Sequence, residues 1–191
     1  MARSAVPEHT PFDFQSFMEC TVAGGGRPRI SEARAPRHGG SLVSMVQRVS
    51  PYLLYGDAGA AIEYLERVFG CREILRYTAE DGRVSHAELR CPDGGDIMLG
   101  QPGTGYCSPH QLGGITTMIH VYVDDVDAHY ARAREAGAVI ERELTDQPFG
   151  DRSYGATDLE GHQWFFATRV KEVAPEEWGA VSAPSRNVEK G

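Results

Sequence analysis

Thr116-Thr117-Met118-Ile119-His120-Val121-Tyr122-Val123-Asp124-Asp125 reads as a buried strand that runs directly into a helix. Its β-branched and aromatic residues suit a pleated, half-buried surface. The two aspartates follow where a helix N-terminus takes a side-chain cap and negative charge. Ser50-Pro51-Tyr52-Leu53-Leu54-Tyr55-Gly56-Asp57 has the same shape, and an offset of 67 carries Tyr55 onto Tyr122 and Asp57 onto Asp124. The same offset carries Gly70 onto Gly137 and Gly94 onto Gly161. A cap, a tyrosine and two glycine turns in one register indicate an internal repeat.

Outward from these stretches, each half has one element order. Val49 to Tyr55 predicts a strand, and Asp57 caps a helix through Phe69 with Ala61, Ile62, Leu65 and Phe69 on one face. Gly70 stands at its C-cap position. Strands follow near Arg72–Thr78, Val84–Arg90 and Asp96–Leu99, separated by Glu80-Asp81-Gly82 and Pro92-Asp93-Gly94-Gly95. In the second half Thr116–Val123 is a strand, Asp124 or Asp125 starts a helix with Val126, Tyr130 and Ala133 on one face, and Gly137 ends it. Val139–Leu144, Asp151–Thr157 and Gln163–Thr168 are the remaining strands. The fold expected is α+β: two tandem βαβββ modules, residues 49–101 and 115–170, forming a curved mixed sheet around a cavity with the helices on the outer face. Gly100 to Gly114 reads either as a module linker or as a lid over a pocket, and the linker is favoured.

Residues 1–44 hold Gly24-Gly25-Gly26, Gly39-Gly40 and scattered Pro and Arg without a sustained period, so 1–45 is read as a disordered tail ahead of a domain at 46–170. Met45 immediately precedes the patterned region and is the start expected for the native chain, which intact-mass measurement tests. Residues 171–191 are read as an irregular tail whose Trp178 packs back on the body. Of the net charge of −8, residues 1–48 contribute about +2 and the remainder about −10. An acidic body lacks the phosphate-neutralising surface that nucleic-acid binding needs. It is compatible with a cationic small ligand. Cys20, Cys71, Cys91 and Cys107 lack C-x-x-C spacing and are read as reduced thiols of a cytoplasmic protein. No apolar run reaches the length of a membrane span, and no compact signal-peptide core stands at the N-terminus.

Tandem βαβββ modules resemble the vicinal oxygen chelate superfamily, which includes glyoxalase I, bleomycin-resistance proteins and extradiol dioxygenases. Pro51-Tyr52-Leu53 followed by Asp57 and Phe69-Gly70 carries the resemblance, as do Ile119-His120-Val121-Tyr122-Val123-Asp124-Asp125-Val126-Asp127, Pro148-Phe149-Gly150-Asp151-Arg152-Ser153-Tyr154 and Asp158-Leu159-Glu160-Gly161-His162-Gln163-Trp164. The resemblance covers about Val49 to Arg169. Its metal enzymes place four ligands on the first and last strands of the two modules. The motif assigns His120 and Phe165 to two of these positions, and the offset of 67 assigns Leu53 and Met98 to the others. Three apolar side chains and one imidazole do not make a divalent-metal site, so neither metal nor other cofactor is expected.

Strand alternation then places Leu53, Tyr55, Met98, Met118, His120, Tyr122, Gln163 and Phe165 on the face away from the helices, with Ile119, Val121, Val123, Trp164 and Phe166 beneath them. Arg152 and Tyr154 on the penultimate strand complete the candidate ligand-binding set; alternatively Arg152 pairs with a nearby acid such as Asp151. His120 has two readings: a hydrogen-bonding or general-base histidine in a cavity, or a buried histidine satisfied by Tyr55 or Gln163. His86 and Glu88 read as a solvated strand face, with a second polar cluster as the alternative. Three function classes stand. The favoured one is metal-free binding of a small aromatic or cationic molecule, as in antibiotic sequestration. The others are a divalent-metal lyase, isomerase or dioxygenase, and an interaction module with a filled cavity. A homodimer is expected.

Overall fold

Asp57 and Asp125 set the frame of the two halves. Both take extended backbone angles and turn their carboxylates back onto the helices they start, Asp57 accepting from Ala60 N at 3.0 Å and Asp125 from Ala128 N at 2.9 Å. In the computed structural model, which describes residues 49–101 and 103–182, the first module runs β1 (Tyr52–Leu54), α1 (Ala58–Phe69), β2 (Arg72–Thr78), β3 (Val84–Arg90) and β4 (Asp96–Gly100). A short helix α2 (Pro109–Leu112) lies in the connection. The second module runs β5 (Met118–Tyr122), α3 (Val126–Glu135), β6 (Val139–Asp146), β7 (Asp151–Thr157) and β8 (Gln163–Arg169). A 3-10 turn at Pro175–Trp178 follows. The expectations for residues 1–48, including the start at Met45 and the pairing state of Cys20, fall outside the described residues. Among the described residues no helix is long and apolar enough to cross a membrane.

The α+β architecture of two βαβββ modules is the one expected. Each module forms its own four-stranded mixed sheet, β1-β4-β3-β2 and β5-β8-β7-β6, with the first and last strands parallel and the others antiparallel. The sheets do not join or close.

Both modules lie in one compact unit and meet through their helical layers. Phe69, at the end of α1, packs its ring against Trp164 and Phe166 of β8, with centroids 5.4 and 5.0 Å apart. His129 of α3 reaches the Phe69 carbonyl at 3.0 Å. The face of each sheet away from its helix therefore turns outward, and the cavity expected between those faces is not closed within one chain.

The connection is anchored: His110 N donates to Glu160 O at 3.0 Å, and the Glu160 carboxylate accepts from Gly56 N and Asp57 N at 2.7 and 2.8 Å. Gly161 is required at that junction. Its φ is +91°, and an added Cβ would stand 2.7 Å from the His110 ring. At the C-terminal end Trp178 does pack back, edge to face against Phe149 at 5.9 Å.

One register correction follows. Helix caps Asp57 and Asp125 are 68 apart, whereas the left-handed glycines Gly70 and Gly137 are 67 apart. The second module has lost one residue within its helical segment, so 67 holds after the helices and 68 before them. A one-residue slip moves a strand residue to the opposite face. Leu53 and Tyr55 consequently lie on the helix side, 4% and 3% exposed. The open face of β1 carries Tyr52 and Leu54 instead. Tyr52 pairs with Met98 as His120 pairs with Phe165, so the four equivalent positions are Tyr52, Met98, His120 and Phe165.

Candidate functional site: the open faces of the two sheets

On the second sheet, alternation sets Ile119 and Val121 into the core and leaves Met118, His120 and Tyr122 exposed. One row across four strands runs Arg142–Gly155–Phe165–His120. The guanidinium of Arg142 lies over the Phe165 ring at 5.3 Å, and His120 sits between Phe165 and Tyr122 with ring centroids at 6.5 and 5.0 Å. Gly155 permits this approach: an added Cβ would lie 3.1 Å from Phe165 and 3.3 Å from Arg142. Beside the row, Tyr122 donates to the buried Asp151 carboxylate at 2.8 Å. Arg169 donates to Asp151 and to the Tyr122 hydroxyl, its guanidinium 6.0 Å from the Tyr122 ring centre.

The open face of the first sheet is built around Tyr52. Its hydroxyl donates to Ser85 O at 3.3 Å and stands 3.2 Å from His86 Nδ1; His86 Nε2 lies 3.6 Å from Glu88. Burial pushes the Tyr52 phenol up to about 12. Gly100 makes the room, since a Cβ there would meet Ser85 O at 2.2 Å and the Tyr52 hydroxyl at 2.8 Å. Leu75 and Tyr77 extend the face and are 44% and 41% exposed. Off the β1 edge, a groove of about 220 Å³ is bounded by Tyr52, Leu54, Cys107, Leu112, Thr116 and His162.

Of the residues expected to meet a ligand, Met98, Met118, His120, Tyr122, Gln163 and Phe165 do lie on open faces, although not all on the same one. Tyr154 does not. It is 1% exposed beneath α3, its hydroxyl 2.7 Å from His129 Nδ1. Arg152 also points to the helix side, where it pairs with Asp127 at 2.9 Å and Asp146 at 2.8 Å rather than with Asp151. Leu53 and Tyr55 belong to the core. Arg142 and Arg169 were not among the candidates. Arg169 was legible from the alternation Phe165, Ala167, Arg169 along the last strand. Arg142 follows a register shift between Ile140 and Arg142, which no simple period reveals.

The four positions that carry metal in related folds hold one imidazole, one phenol with an elevated pKa, a thioether and a phenyl ring. That donor set does not fit a divalent cation. Among the described residues no group of three or more His, Cys, Asp or Glu is placed to hold one. Adding Zn, Ni or Mn is expected to leave the melting temperature within about 1 °C in a thermal-shift assay. Saturation at about 100-fold over Kd would instead add about 2.7 kcal/mol. One equivalent of retained metal that is lost in His120→Ala would overturn this.

Residues 45–166 match the sequence pattern of the Glyoxalase/Bleomycin resistance protein/Dioxygenase superfamily. The chain belongs to this family. An uncharacterized protein of Mycobacterium tuberculosis (strain H37Rv) is 35% identical over 155 residues, covering 78% of this chain and 91% of its own length. The crystal structure of TioX from Micromonospora sp. ML1 is 38% identical, covers 67% of this chain and 98% of its own, and superposes with a TM-score of 0.54. A superfamily member from Sphaerobacter thermophilus shares the fold at 20% identity, covering 62% of this chain and 94% of its own, with a TM-score of 0.52. Family membership fixes the scaffold rather than the chemistry, because one scaffold hosts many activities.

Proposed function

We propose that this protein binds a small aromatic molecule without a metal ion, on the open sheet faces, and acts by sequestering it, an antibiotic being one such molecule. The observation that carries the reading is the outward aromatic and thioether surface of the second sheet. Met118 is 59% and Tyr122 50% exposed beside His120 and the half-buried Phe165. Contiguous apolar surface of this kind marks a site that something covers, and aromatic and Met side chains with sparse polar groups suit a ligand. The lyase, isomerase and dioxygenase reading requires metal donors that the four positions do not supply.

The test is a thermal-shift screen of planar aromatic compounds, antibiotics included. A binding compound is expected to raise the melting temperature by several degrees. Phe165→Ala and His120→Ala are expected to reduce that shift, and His120→Ala, whose side chain is exposed, to leave the unliganded melting temperature nearly unchanged. A shift of equal size in both variants would move the site elsewhere.

The open faces also support a homodimer in which the ligand cavity forms between the facing sheets of two copies. Leu75, Tyr77, Met118 and Tyr122 are each more than 40% exposed in the single chain. Stable interfaces bury on the order of 800 Å² per partner. Light scattering at micromolar concentration is expected to give twice the mass of one chain; the monomer mass would exclude the dimer.

A further inference from the structure

The body of the chain is acidic, yet the open face of the second sheet carries cations at two ends of its aromatic row. Arg142 lies over Phe165 and makes no ion pair among the described residues. The neighbouring Glu143 accepts from Tyr130 of α3 and so serves the opposite face of the strand. Arg169 lies over Tyr122 at the other end and is half-committed: Asp151, 1% exposed, takes its Nε, and its Nη2 donates to the Tyr122 hydroxyl at 3.3 Å. Glu172 stands 3.8 Å from Nη1 with its side chain 89% exposed, a loose contact that a ligand displaces. Asp151 thus neutralises Arg169, with Glu172 a looser second acid at that end, and the guanidinium of Arg142 is the local charge at the other end of the row. Between the two cations lie the rings of Phe165, His120 and Tyr122, the first half-buried and the other two exposed.

We propose that this face recognises a planar aromatic anion, its ring stacking on the Phe165–His120–Tyr122 row and its carboxylate or equivalent acid group on Arg142. This deepens the small-molecule reading above and rests on it. Three features favour the anion over a cation or a neutral ring. A guanidinium binds carboxylate through charge-assisted, bidentate hydrogen bonds, and its place over the Phe165 ring sets it beside the aromatic row. A cationic ligand would meet Arg142 as a like charge, while the exposed Glu172 stands at the opposite, Arg169 end of the row. Asp151, the buried acid of this face, is already engaged by Tyr122 and Arg169. The net charge of −8 acts at long range and is screened over roughly 8 Å at physiological ionic strength; at contact distance the local guanidinium decides the sign.

The site predicts a specific rank order. Calorimetric or fluorescence titration uses naphthalene-2-carboxylate, the neutral naphthalene-2-carboxamide, the cation 2-naphthylmethylammonium and the non-aromatic cyclohexanecarboxylate. The aromatic carboxylate is expected to bind on the order of tenfold more tightly than the amide, with the cation weakest among the aromatic probes. Arg142→Gln is expected to abolish the preference for carboxylate over amide, and Arg142→Lys to restore part of it. Phe165→Leu weakens all aromatic probes together. If the amide or the cation binds as well as the carboxylate and Phe165→Leu still weakens it, the face binds aromatics and the anionic class is overturned. If no aromatic probe binds, or if binding ignores both Arg142 and Phe165, this inference and the small-molecule reading fail together.

Discussion

Asp158→Ala is expected to cost about 3–5 kcal/mol of stability, measured by urea unfolding with tryptophan fluorescence as the probe. The side chain of Asp158 is wholly buried, yet every lone pair is used. Oδ2 accepts from the Tyr55 hydroxyl at 2.6 Å and from Trp164 Nε1 at 3.0 Å. Oδ1 accepts from the backbone N–H groups of Glu160 and His162, both at 3.0 Å. One carboxylate thereby ties the end of β1 in the first module to the turn and final strand of the second. Removing it leaves a buried phenol and a buried indole N–H without their acceptor, and the unpaired group rather than the lost bond sets the cost. Burial alone would raise this carboxyl, but hydrogen bonds from His162, Tyr55 and Trp164 overcome it and hold it below the ordinary 3.8. A depressed folded-state value stabilises the protein above the unfolded value and is lost as pH falls through the folded one. Acid titration of the wild type should therefore show a loss of stability below about pH 4 that is smaller in Asp158→Ala. An alanine variant within 1 kcal/mol of wild type would mean that this carboxylate does not hold the modules together.

The repeat, the helix caps and the composition of the buried strands were all legible from residues 49–169. The second module's alternation was read correctly because Ile119, Val121 and Val123 stand against polar or aromatic neighbours. The first was not, because Tyr52-Leu53-Leu54-Tyr55 is apolar at every position and no period shows which pair faces inward. Only the structural register could settle it, through Tyr52 opposite Met98. The coupling of the modules was equally hidden. Nothing local marks His129 as buried; its charged surroundings, Asp127, Arg132 and Arg134, describe an exposed helix face. Tyr55 and Asp158 lie 103 residues apart, and neither looks unusual alone. Arg142 escaped for another reason: a strand irregularity re-aims its side chain, and periodicity arguments assume regular strands.

Phe69→Ala is expected to cost about 3–5 kcal/mol, as large-to-small replacement of a buried aromatic does when the cavity cannot collapse. Collapse is blocked here because the ring is gripped by elements from both modules. Tyr64 lies edge-on at 5.6 Å from its own helix, while Trp164 and Phe166, both fully buried, belong to the opposite sheet. The residue's backbone is engaged as well. Its carbonyl can only accept, so His129 Nε2 carries the proton in the 3.0 Å contact, and Nδ1 is left to accept from the Tyr154 hydroxyl at 2.7 Å. His129 is thus held neutral. Burial depresses its pKa below the ordinary 6.5, which outweighs the bond to Phe69. The sign follows from linkage: protons bind more readily to the unfolded chain, so the contribution is present above the unfolded value of 6.5 and falls away as pH drops below it. Wild type should accordingly lose stability as pH falls below 6.5, ahead of the acid loss from Asp158. His129→Gln, which keeps a donor for the Phe69 carbonyl, should flatten that limb. Phe69→Ala should lower stability at every pH and retain the slope, because it removes ring packing while leaving the carbonyl in place. If Phe69→Ala instead abolished the slope, the imidazole would depend on the aromatic ring for its burial rather than on the Tyr154 and carbonyl contacts. If the variant cost under 1 kcal/mol, the two modules would not share the core that Phe69, Trp164 and Phe166 define.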